Sequence, residues 1–177
     1  MILRFKLAAL LGFAVIPAAL AQISGEYQLK AAFLYNLPKF VEWPAQSFQP
    51  GDPLVICVLG KNPFGSALKE AVQGKVVRDR PLAVKAIDDA GQACGCQVLF
   101  VSSSERKHFP SILAATAALD ILTVGDSDSF IGGGGAVNLR LEDGKVRIEI
   151  NPDAAEPHHL KISSKLLSLA EIRKGAR

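Results

Sequence analysis

Apolar residues fall into two kinds of run along this chain, and the difference between them sets out the fold. From Glu26, Leu29, Phe33, Leu37 and Phe40 recur at spacings of four and three, flanked by Ala32 and Val41. That rhythm predicts a helix burying this stripe. Pro38 removes a backbone donor and disfavours helical geometry at Leu37, so a kink or break is expected there, and Pro44 closes the segment after Trp43. By contrast "PLVICVLG" (53–60) and "CQVLFVSS" (96–103) are continuous and β-branched, as strands buried on both faces are. "FGSALKEAVQGK" predicts a helix with Gly74 at its C-cap, and "KHFPSILAATAAL" another with Pro110 in its first turn. "KVVRDRPLAVKAI" predicts one or two strands about a turn at Asp79 to Pro81, and "DILTVGD" a further strand. "AVNLRLEDGKVRIEIN" predicts a hairpin turning at Asp143-Gly144. Residues 153–173 look helical, with Ser163 or Ser164 as a cap. Strands alternating with helices imply an α/β fold in three layers: a mostly parallel sheet, helices on both faces, and a C-terminal antiparallel hairpin.

The first 21 residues stand apart. Arg4 and Lys6 precede an apolar stretch, Leu7 to Ala21, that contains Pro17 and ends in "ALA". This is the pattern of a cleaved signal peptide, and the stretch is shorter than the roughly 20 residues a membrane span needs. Residues 22–177 are then expected to form a single soluble domain, exported and not inserted in the membrane. Losing residues 1–21 removes two positive charges, so the formal charge falls from +3 to +1. A near-neutral chain without clustered Lys and Arg does not suggest a nucleic-acid partner.

Chemical motifs are sparse. There is no G-x-S-x-G elbow, P-loop or G-x-G-x-x-G fingerprint, and no catalytic residues are assigned. The run Gly132–Gly135 leads into a strand and reads as a turn. His158 and His159 are adjacent and point in different directions, so no metal site or cofactor is expected. Ser102, Ser103 and Ser104 read as turn formers and caps. "GKNPFG" lies at the carboxyl end of the first long strand, where open α/β folds bind ligands, which makes Gly60, Lys61, Asn62 and Gly65 the candidate ligand contacts. The plainer reading is a tight turn.

The three cysteines carry more. In an oxidising compartment, cysteines on two strands are expected to pair where geometry permits. Cys94 and Cys96 sit two apart in an extended segment, near the limit for bridging each other. Cys57 is therefore expected to pair with Cys96, at an offset in register or through a loop that folds back. Cys94 is left free, as an alternative partner for Cys57, or as an intermolecular bridge.

"EYQLKAAFLYNLPKFVEWP" (26–44) followed by "VICVLGKNPFG" resembles the YfiR family of small periplasmic proteins. "CQVLFVS", "ILTVGD", the late hairpin and "ISSKLLSLA" extend the likeness to the end of the chain. Pro38 departs from the family pattern, and the second cysteine pair of some members is missing. The resemblance implies a non-enzymatic regulator, often a homodimer, that restrains an inner-membrane diguanylate cyclase by binding its periplasmic sensor region. Periplasmic stress or redox state would then set cyclic di-GMP and biofilm formation. Two alternatives are a periplasmic small-molecule-binding domain and an envelope thiol oxidoreductase.

Overall fold

The structure, a computed structural model, describes residues 18–175, so most of the expected leader lies outside the described residues. Helix α1 (Ala18–Asn36) gives way to a 3-10 turn at Leu37–Phe40 and the short strand β1 (Val41–Glu42). Pro38 occupies that turn, where the break was expected. Next come β2 (Leu54–Leu59), α2 (Ala67–Val72), β3 (Val76–Val77), β4 (Arg80–Ile87), β5 (Val98–Val101), α3 (Phe109–Thr116) and β6 (Leu122–Gly125). The chain closes with β7 (Val137–Glu142), β8 (Lys145–Ile150), α4 (Pro152–Ala155), β9 (Lys161–Ile162), α5 (Ser164–Leu169) and β10 (Glu171–Ile172).

Eight strands make one sheet in the order β10-β8-β7-β6-β5-β2-β4-β3, while β1 and β9 pair separately. Neighbours from β4 across to β7 run parallel. β7 with β8 and β3 with β4 are antiparallel hairpins. The period of two explains why the central strands are apolar throughout. Ile56 and Val58 of β2, Val98 and Phe100 of β5, and Val124 of β6 point to one face, beneath α1 and α2. Cys57 and Leu59, with Leu99 and Val101, point to the other, beneath α3. The fold is α/β with three layers and a C-terminal hairpin.

Three local expectations need correction. Leu37 of the expected stripe is buried and Phe33 and Phe40 pack on the core, but along α1 the most buried residues are Lys30, Ala31 and Leu34, while Leu29 is 47% exposed and Ala32 is exposed. Burial of a lysine shifts the face by one position, and no apolar pattern reveals that. The first hairpin turns at Arg78 and Asp79, both at positive φ (50° and 63°), so Pro81 already belongs to β4 opposite Val76. Residues 153–173 are not continuously helical. Pro157 removes a helical donor, and His159 takes a left-handed φ of 54°, which ends the turn before β9. Ser163 does cap α5, accepting from Leu166 N at 3.3 Å.

Candidate functional site

Cys57 lies mid-strand in β2 and Cys96 lies two residues before β5, and the two form a disulfide with Cα atoms 5.9 Å apart. In the parallel ladder Cys57 stands opposite Leu99, so Cys96 is three positions out of step. A fold in the chain closes that gap. After the 3-10 turn Ala90–Ala93, Cys96 N donates back to Ala93 O (3.0 Å), with Gly95 at a φ of 83°. Gln97 secures the same junction, since its N–H donates to Val55 O (3.0 Å) and its Oε1 accepts from Val55 N (2.8 Å). Both disulfide cysteines are buried, among Ala93, Leu99 and Ile121, whereas Cys94 is exposed and unpaired. A bond spanning 39 residues stabilises the fold by about 4 kcal/mol in the chain-entropy account.

β2 is flanked by β4 on one side and β5 on the other, so the connections diverge at its carboxyl end, where doubly wound folds hold their ligands. There the turn after β2 packs directly against the turn after β5. Gly60 has a φ of 86°, and a Cβ there would lie 2.6 Å from Ser104 Oγ and 2.7 Å from Glu105 Oε1. Lys61 N donates to Ser104 Oγ (3.0 Å), which donates in turn to Glu105 Oε1 (3.0 Å). Asn62 uses both ends of its amide within the loop: Oδ1 accepts from Phe64 N (2.9 Å) and Nδ2 donates to Gly65 O (3.1 Å). The loop thereby places the Phe64 ring between Tyr27 and Phe100, at centroid distances of 5.5 and 4.7 Å. The main-chain N–H of Lys61 and the side chain of Asn62 thus serve the turn. Beside this packing a cleft of about 280 Å³ lies open at the carboxyl ends of β2 and β4, lined by Leu59, Asp88, Asp89, Glu105 and His108 and not by residues 60–65.

Two polar clusters were not anticipated. Lys30 Nζ, 2% exposed, lies 2.5 Å from Glu26 Oε1 and 3.4 Å from Asp126 Oδ2, and the Tyr27 hydroxyl donates to the same Asp126 oxygen (2.7 Å). Burial and the Asp126 carboxylate raise the Tyr27 pKa well above its ordinary value, keeping the phenol a donor. In sequence Glu26 and Lys30 look like an ordinary surface pair one helical turn apart. The second cluster joins the entry to β6 to distant segments. Ser47 Oγ donates to Asp120 Oδ2 (2.7 Å), His159 Nδ1 lies 2.9 Å from Asp120 Oδ1, and His158 Nδ1 lies 2.7 Å from Leu119 O. The two histidines thus address different residues, and among the described residues no three metal-binding side chains converge.

The arrangement defines a doubly wound α/β domain with a disulfide in its core. The chain belongs to the YfiR/HmsC-like family, whose model matches residues 27–171. No curated protein sequence matches it. Two solved structures share the fold at low identity. One is a conserved domain protein from Vibrio cholerae (12% identity, TM-score 0.56), covering 83% of this chain. The other is the ABC domain in complex with L-Trp from Streptococcus pneumonia (9% identity, TM-score 0.53), covering 82%. The alignments span 60% of either structure, so this chain corresponds to about three fifths of those proteins.

Proposed function

We propose that this chain is a non-enzymatic periplasmic regulator: residues 1–21 direct export, and residues 22–177 bind and restrain the periplasmic sensor region of an inner-membrane diguanylate cyclase. The observation that carries this reading is the family match across residues 27–171, nearly the whole described domain. The Cys57–Cys96 bond serves the binding-competent state by clasping β2 to the loop that enters β5. Redox control would operate through loss of that clasp.

Pull-down of the mature chain from envelope extracts, with and without reductant, tests the proposal. Recovery of a cyclase under oxidising conditions is expected, with much less after reduction. Equal recovery in both would remove redox control, and no recovery in either would contradict the regulator itself.

A further inference from the structure

β8 is six residues long, but β10 covers only Glu149 and Ile150 on its outer side. Among the described residues no strand pairs with Lys145 to Ile148 on that side. The phase of the strand follows from its hairpin. A two-residue turn makes Glu142 and Lys145 the closing hydrogen-bonded pair, so Lys145, Arg147 and Glu149 direct their main-chain groups toward β7. The N–H and C=O of Val146 and the N–H of Ile148 therefore point outward. The 2.8 Å bond from Arg173 N to Ile150 O has the same phase. Beside this edge runs a groove of about 520 Å³, lined by Phe33, Val146, Ile148 and Leu169 (68% exposed), with Glu142, Arg147 and Glu171 also bordering it.

We propose that this free edge of β8 is a docking site for an extended segment of a partner protein, which adds as a strand and alternates apolar with acidic side chains. Unpaired ladder groups are matched only by another extended backbone. Side chains of such a strand alternate between the groove face, lined by Val146 and Ile148, and the opposite face, where Lys145 and Arg147 stand at the open edge and Glu142 and Glu149 lie further in. The first calls for apolar residues and the second for carboxylates. Lys145 has no ion pair among the described residues, and Arg147 has one, to Glu142 (3.3 Å). A second copy is a poor occupant. The two-fold registers that keep Val146 and Ile148 on the groove face set Lys145 against Arg147 of the second copy, or Arg147 against its own counterpart. Edge cations thus oppose self-pairing while admitting an acidic strand. The inference deepens the regulator reading and rests on it for the partner's identity.

Amide hydrogen exchange of the mature chain, followed by NMR, tests the site. The probes are a blocked peptide alternating Val with Glu, the same peptide N-methylated along one edge, and a Val/Lys counterpart. Val146 N–H is expected to exchange fast in the free protein and to be slowed only by the unmodified Val/Glu peptide. Lys145→Glu with Arg147→Glu should weaken that peptide about tenfold and shift preference to the Val/Lys peptide. The cyclase's periplasmic region, bound equally by wild type and the charge-reversed variant while no peptide protects Val146, would overturn the site and leave the regulator reading standing. Protection of Val146 that grows with protein concentration alone would give the edge to a second copy and also overturn it.

Discussion

Lys30 on α1 and Asp126 just beyond β6 face each other at 3.4 Å with each side chain 2% exposed, an ion pair sealed between the first helix and the middle of the sheet. Removing one partner strands the other charge in the core. Lys30→Met is expected to destabilise the domain by about 3 to 5 kcal/mol. Adding Asp126→Asn should recover a large part, because it removes the unpaired carboxylate. Denaturant unfolding of the two variants checks both statements.

The disulfide and the free thiol should behave oppositely. Cys94 is exposed and should react with a thiol reagent at once, whereas the buried Cys57–Cys96 bond should yield to reductant far more slowly. Replacing Cys57 and Cys96 by Ser should destabilise the fold by about 4 kcal/mol, lowering the melting temperature by roughly 10 °C. Thiol counting before and after denaturation, with calorimetry, measures these effects.

Gly60 tests whether the two turns pack together. Alanine there meets both a positive φ and the Ser104 and Glu105 side chains, so Gly60→Ala should destabilise by roughly 2 kcal/mol. Ser104→Gly in the same chain should restore part of the loss by making room. An unaltered melting temperature in the single variant would show the two turns to be apart.

Asp120 gives a pH signature. Burial alone would raise its pKa, but hydrogen bonds from Ser47 and His159 outweigh burial and hold the carboxyl below its ordinary value. A depressed folded pKa contributes stability that is fully present above the unfolded value, near 3.9, and is lost as pH falls through the folded one. The melting-temperature difference between wild type and Asp120→Asn should therefore shrink as pH falls below about 4.

The sheet was legible because its strands are short continuous runs of Val, Ile and Leu ended by Gly or Ser, and because Asp143-Gly144 permits little but a hairpin. Cys57 and Cys96 could be matched, with a loop folding back as one of two ways to join them, but not the turn at Gly95 that makes the fold. What escaped is of two kinds. Lys30 took a core position on α1, so the start of the apolar stripe, at Leu29, pointed to the wrong face. Beyond Asn151 the elements run two to six residues, too short for either period to register. Gly135, in the segment read as a turn, and Gly125, at the end of β6, have a further purpose: side chains there would collide with the Phe130 ring, which is fully buried beneath α3. No local pattern announces such a contact.

The central claim is that this chain restrains synthesis of cyclic di-GMP from outside the cytoplasm. Measuring intracellular cyclic di-GMP in a strain lacking the gene, then restored with the exported chain or with residues 22–177 alone, tests it most directly. The account predicts a rise on deletion that only the exported form reverses. An unchanged level on deletion, or equal correction by the form retained in the cytoplasm, would contradict it.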